Sequence, residues 1–239
     1  MNLSFKITND MYYYLKWTSD RDIVGEYPQM LAYTDDNIYD KLQNELRNFK
    51  KYSYQKMDID RINIPILIGE DSFLTDLLSS GFIPNESAIL TKKTMGLINQ
   101  FNTLDTQSIN VKILHRNEIY DNYKILHFTE SLLPKINYDK SEFYNSIQKE
   151  PIIIKDYEDF IAIRNELIKN YEQPFSKNLF IEKKHVESLD YFTLGFPSGE
   201  IIVSERLKEA LEEAKITGIR FQKIDDILFE GKNEQQSPV

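Results

Sequence analysis

One order of residues occurs twice in this chain and limits its fold more than any other feature. Residues 88–101 read AILTKKTMGLINQF and lead to NVKIL at 110–114. Residues 201–214 read IIVSERLKEALEEA and lead to IRFQKI at 219–224. Each is a short apolar run, a hydroxyl residue, a helical stretch and a second apolar run. Ser204 sits where a helix N-cap belongs, because its hydroxyl can accept from an early helical N–H. Glu205 suits the positive end of the helix that follows. Leu207, Ala210, Leu211 and Ala214 recur at i, i+3, i+4 and i+7, which lines one helix face, and Gly218 marks the stop. Thr91 holds the matching cap position in the first copy, with a helix expected through Gln100 and a strand over Asn110–Leu114. Either one unit has been duplicated, or a common strand–cap–helix–strand unit appears twice.

The remaining stretches predict more strands than helices. Met11–Trp17 (MYYYLKW) is aromatic-rich and reads as a strand. Ile38, Leu42, Leu46 and Phe49 predict a helix over 35–50 with Asp36 as its cap. Ile62–Ile68 reads as a strand that Pro65 assigns to a sheet edge. Ser72–Ser80 is expected to be a short helix ending at Gly81. Tyr120–Phe128 reads as one strand, Pro151–Ile154 as a buried apolar run, and Tyr157–Asn170 as a helix whose broad face carries Phe160, Ile163 and Leu167. Tyr191–Leu194 and Glu200–Val203 flank the turn-like 195–199. Hairpin-like strand pairs alternating with single helices predict an α+β fold, with a mixed, largely antiparallel sheet and helices packed on it. The expected division is an N-terminal elaboration over 1–84, a main α+β domain over 85–228 and a flexible tail over 229–239.

Charge and cysteine usage exclude several classes of function. The chain has 239 residues, no cysteine and a formal net charge of −9. Thiolate metal sites, disulfide frameworks and cysteine nucleophiles are therefore absent. An acidic balance argues against a nucleic-acid partner, which calls for a basic patch, and favours a basic protein partner through steering. No secretory signal stands at the start, and no apolar run approaches the ~18 residues of a membrane span. A soluble cytoplasmic protein with no membrane partner is the expectation.

A search for chemistry finds little. His115, His127 and His185 show no i, i+4 spacing and no HExxH. His127 lies in an apolar strand, where a core histidine is expected, and His185 lies in a charged stretch. Nucleophile elbows, phosphate loops and dinucleotide fingerprints do not occur. Asp35, Asp36 and Asp40 lack the remaining pattern of a calcium loop. No cofactor or metal is expected.

From about residue 85 to 228 the chain resembles the family-eleven immunity proteins of bacterial polymorphic toxin systems. The resemblance rests on AILTKKTMGLINQFN, on YDNYKILHFTESLLPKINYDKSEFY, and on the closing LDYFTLGFPSGEIIVSERLKEALEEAKITGIRFQKI. Some relatives carry paired CxxC motifs, and a metal role does not carry over to a chain without cysteine. The resemblance implies a non-enzymatic inhibitor of a cognate toxin, an effector C-terminal domain, acting by plugging its active site or holding it inactive. Two alternatives stay open: an enzyme that reverses the toxin's modification, and an acidic adaptor unrelated to toxins.

Candidate toxin contacts follow from charge and expected exposure. They are Tyr12 and Tyr14, Asp35, Asp36 and Asp40, and Glu158 and Asp159. Reversing the charge of Asp35 and Asp36 together is expected to weaken the complex with a basic partner and lower its on-rate. Unchanged affinity at low salt would remove that pair from the contact surface.

Overall fold

The computed structural model describes residues 12–30, 54–56, 65–79, 83, 87–195 and 200–230. Strands dominate, arranged in four sheets, and most pairings are antiparallel. The predicted helix over 35–50 lies outside the described residues.

Two of the sheets contain the repeated units. In the first, β3 (Leu77–Leu78) and β4 (Ser87–Thr91) pair as neighbours, and α2 (Lys92–Ile98) leads from β4 to β5 (Thr106–Asn110). A later strand, β8 (Tyr123–Phe128), lies between β4 and β5, giving the order β3-β4-β8-β5. In the second, β12 (Tyr191–Thr193) pairs with β13 (Ile201–Ser204), and α4 (Glu205–Glu213) leads to β14 (Ile219–Lys223). Here the strand between β13 and β14 is β1 (Tyr12–Trp17), from the other end of the chain. Both helices begin as expected. Thr91 Oγ1 accepts from the Thr94 N–H at 3.3 Å, and Ser204 Oγ accepts from the Leu207 N–H at 3.2 Å.

Two seams join these sheets. The Leu104 N–H donates to the Tyr191 carbonyl at 2.9 Å, and the Leu77 N–H donates to the Thr217 carbonyl at 3.1 Å. One large core results. Leu90, Met95, Ile98, Leu126 and Phe128 of the first half share it with Leu15, Tyr191, Val203, Leu207 and Leu211 of the second. Phe128 stacks on Tyr191 with ring centroids 5.0 Å apart.

Each sheet is also covered on its outer face. β2 (Pro65–Leu67), β6 (Lys112–His115) and β7 (Glu118–Tyr120) form a sheet whose Ile66 and Ile113 pack with Ile89, Ile109 and Ile125 in a second core cluster. β2 is an edge strand, as Pro65 implied. On the other side β10 (Pro151–Ile152), β9 (Glu142–Asn145), β11 (Pro174–Glu182) and β15 (Ile227–Glu230) are joined in that order. Short α1 (Arg21–Val24) and the longer α3 (Tyr157–Ile168) complete the described strands and α-helices.

Double covering explains where the expected elements fail. The helix expected over 72–80 does not form: residues 72–79 are not helical, and residue 80 lies outside the described residues. Leu77 belongs to the large core and Leu78 to the second cluster, so adjacent leucines point to opposite faces of a strand. Gln29 fixes that extended path, accepting from the Ser79 N–H at 2.9 Å and donating to the Phe73 carbonyl at 2.5 Å. The strand expected over 120–128 is split into β7 and β8 by Asp121 and Asn122, and that over 110–114 is broken at Val111. Pro151–Ile154 is an edge segment rather than a buried run, with Ile153 84% exposed. Phe229 and Glu230, assigned to the tail, belong to β15, and Phe229 is buried.

Two glycines give opposite expectations. Gly218 has φ +81°, and a methyl group there would collide with the Leu77 carbonyl oxygen and the Thr75 side chain at the seam. Gly96 lies inside α2 with open space around it. In urea titrations, Gly218→Ala should destabilise the protein by more than about 1 kcal/mol. Gly96→Ala should stabilise it by about 0.5–1 kcal/mol.

Candidate partner-binding surface

The structure separates the sequence-nominated contacts. Tyr12 and Tyr14 are each only 3% exposed, so the exposure that nominated them is absent. Tyr12 lies between Phe192 and Phe229, at 5.4 and 5.0 Å, and donates to the Val186 carbonyl at 2.7 Å. Burial, reinforced by Asp190 and Glu187, pushes its phenol up to about 12. Tyr14 donates to Asp226, and burial followed by that carboxylate raises its pKa strongly. The sheet containing β15 covers both rings, and nothing in MYYYLKW announces that cover. The half-exposed member of the run is Tyr13, which donates to Glu205 at 2.5 Å and lies under Lys208. Asp35, Asp36 and Asp40 lie outside the described residues.

Glu158 and Asp159 open α3. Asp156 caps this helix by accepting from the Asp159 N–H at 2.8 Å, and Asp159 reaches back to the Lys155 N–H at 3.0 Å. Asp159 therefore has a capping role in the fold, whereas Glu158 is exposed. The helix is shallowly docked: Phe160 is its one buried residue, set against Tyr138 and Phe143.

Exposed apolar side chains flank that helix in the sequence, and no motif announces them. Ile147, Ile153, Ile168, Tyr171 and Phe175 are all exposed, Tyr171 by 93%. Two of the segments that carry them are stitched together at one corner. The Ser146 N–H donates to the Gln173 carbonyl at 2.9 Å, and Asn145 Nδ2 and Gln148 Nε2 donate to Glu172 at 2.7 and 3.1 Å. Ile147 is thereby held beside the Tyr171 turn. On the outer face of the sheet Tyr144 stacks on Phe175 at 6.0 Å, and Lys149 lies over the Tyr144 ring at 5.4 Å. A surface cavity of about 610 Å³ runs along the edge strand β10, between Tyr144, Lys149, Ile152, Ile153 and Lys177. The segment from Glu142 to Glu172 carries seven carboxylates against four cations, while the cavity itself is lined by Lys149, Lys155 and Lys177 beside Asp139 and Glu142. Contiguous apolar surface rimmed by polar groups is the ordinary composition of a protein contact.

Two polar clusters resemble catalytic sets and are better read as structure. Ser87 Oγ lies 2.9 Å from His127 Nδ1, but both are buried and are direct cross-strand partners. The corresponding position in the other sheet holds the Lys16–Glu200 ion pair at 3.1 Å. Asp190, 1% exposed, accepts from Ser204 Oγ at 2.6 Å, from the Asn102 N–H at 3.0 Å and from Arg206 at 2.5 Å. Burial alone would raise this carboxyl; the hydrogen bonds from Arg206, Ser204 and Asn102 outweigh it and hold the pKa below the usual carboxylate range. Among the described residues no group of three or more His, Cys, Asp or Glu is placed to hold a metal, and no helix is long and apolar enough to cross a membrane.

The exposed corner and the Asp190 cluster fall in one part of the chain. Residues 146–226 match the model of the immunity protein family Imm11. The Imm11 match agrees with the resemblance read from the sequence and covers its later part, from β10 through β14. It includes Ile147, Ile153, Glu158, Asp159 and Tyr171, and also Asp190, Ser204 and Arg206. It leaves out β1, the strand on which the second sheet closes. No curated protein matches the chain.

Asp190 gives a pH expectation. A carboxyl depressed in the folded state stabilises the protein above its ordinary pKa of ~3.9, and that contribution is lost as pH falls through the folded value. Arg206→Ala removes two donors and lets the carboxyl rise. Acid unfolding followed by circular dichroism should then begin at higher pH. An unchanged midpoint would show that Arg206, with its side chain 62% exposed, is screened by water.

Proposed function

We propose that this protein is an immunity protein that binds a toxin domain and neutralises it by occupying its surface, without catalysis of its own. The Imm11 match over residues 146–226 carries the reading. The exposed apolar corner inside that stretch supports a binding mode, because five large apolar side chains in solvent need a partner more than they need water. The proposed partner is the C-terminal domain of a cognate effector, and the net charge of −9 favours a basic one. Tyr171 and Ile153 are the proposed anchors, since exposed aromatic and aliphatic side chains at the centre of a patch carry most of the energy of a contact. Glu158 lies in the first turn of α3, between the two anchors in sequence, and would steer encounter.

The test is co-expression with the effector domain encoded beside this gene, scored by growth rescue and by co-elution. Rescue with a stable complex supports the proposal. Rescue without a complex would overturn inhibition by binding and favour reversal of the toxin's modification. Within a stable complex, Ile153→Asp and Tyr171→Ala should each weaken binding at least about tenfold. Their melting temperatures should stay at the wild-type value. Wild-type affinity in both variants would move the contact to another surface.

A further inference from the structure

We infer that the chain is a tandem duplication of one structural unit, over about residues 12–115 and 123–230, and that the two copies have exchanged their central strands. Apart from α1, β7, β9, β10 and α3, the described strands and α-helices occur in one order twice. Each copy begins with a central strand (β1, β8), continues with a cover strand (β2, β11) and a short hairpin strand (β3, β12), passes through a capped strand and helix (β4–α2, β13–α4) to a closing strand (β5, β14), and ends on a second cover strand (β6, β15).

The pairings agree residue by residue. Tyr12 pairs with Ser204 and Trp17 with Ile219; Tyr123 pairs with Thr91 and Phe128 with Thr106. In both cases the first residue of the central strand faces the N-cap residue of a helix, and the last faces the first residue of a closing strand. From cap to closing strand the two copies have the same length. The hairpin strands repeat the agreement, with Leu78 opposite Ile89 and Phe192 opposite Ile202. The covers agree as well: β2 runs parallel to β6, β11 runs parallel to β15, and isolated antiparallel bridges join Met30 to Ile68 and Ile136 to Ile181. A frequently used strand–helix–strand unit would share the order of elements. It would not share the register of a strand borrowed from elsewhere, nor the parallel cover.

One carboxylate is repeated with its work. Asp76 precedes β3, and Asp190 precedes β12. The carbonyls of Asp76 and Asp190 accept from the cap residues' N–H groups, Thr91 at 2.9 Å and Ser204 at 3.0 Å. One carboxylate oxygen of each accepts from the same cap's hydroxyl, at 2.8 and 2.6 Å. The other crosses to the opposite sheet: Asp76 accepts from the Thr217 N–H at 3.0 Å, and Asp190 from the Asn102 N–H at 3.0 Å. Asp76 and Asp190 are thus reciprocal latches, each holding its own helix cap and the other sheet's seam. The copies have since diverged. Thr217 lies two residues before β14, whereas Asn102 lies four before β5, and Arg206 joins only the second latch.

Each sheet therefore takes its central strand from the other copy, and neither copy can close a sheet alone. A protease site placed at Asp121–Asn122, between β7 and β8, tests this in the full chain. After cleavage the two fragments should elute together at the size of the intact protein and separate only in denaturant. Two folded species of half the size would overturn the exchange. Hydrogen exchange tests the latches. Asp76→Ala should lower protection of the Thr217 amide, and Asp190→Ala that of the Asn102 amide, by about tenfold or more. Asp190→Asn serves for the second site if Asp190→Ala does not fold. Protection lost only within the substituted copy would overturn the equivalence.

Discussion

The insertion of β1 between β13 and β14 is the constraint on which the rest of the structure depends. Strand Tyr12–Trp17 hydrogen-bonds on one side to residues 201–204 and on the other to residues 219–223. Without it the second sheet is two separate pieces, and the side chains of Tyr12, Tyr14 and Leu15 leave the large core. The closure spans nearly the whole described chain. Its entropic cost grows only logarithmically with loop length, so it is tolerable at equilibrium. The large core that the strand completes, shared by both sheets, offsets it.

The parts of this fold that were legible in the sequence are those set by local chemistry. Thr91 and Ser204 are legible as caps because a hydroxyl before an amphipathic run has one obvious use. The N-terminal strand, the helix after Asp156 and the edge position of Pro65 are legible for similar reasons. Tertiary covering was hidden. Leu77 and Leu78 look helical until it is known that two cores flank their strand. Pro174–Glu182, the longest of the described strands, is not legible in the sequence because a bulge between Ser176 and Asn178 shifts its phase, so Phe175 faces out while Leu179 and Ile181 face in.

The candidate surface was legible only in part, for the same reason. Glu158 and Asp159 lie where a charge-based reading placed them, but Asp159 is drawn into capping. Tyr12 and Tyr14 are candidates on expected exposure, and an aromatic-rich strand does not by itself say which of its faces is covered. Ile147, Ile153 and Tyr171 carry no motif. They become a surface only when Ser146, Gln148 and Glu172 tie two turns together. The matched stretch thus contains the five exposed apolar side chains, yet two of the four strands of the sheet beneath them, β9 and β15, lie outside the match.

The position of β1 also orders events during synthesis. This strand leaves the ribosome well before both of its partners, which follow it by about 190–210 residues. At ~5–20 residues per second, the interval between Trp17 and Ile219 lasts about 10–40 s. Throughout it a six-residue segment rich in tyrosine, with two open edges, has no native partner. Such a segment is a template for pairing with other chains. The nascent protein therefore carries its greatest aggregation hazard in the strand that later lies at the middle of its second sheet. Shielding of this strand during synthesis is worth more to this chain than to one whose first strand pairs with its second.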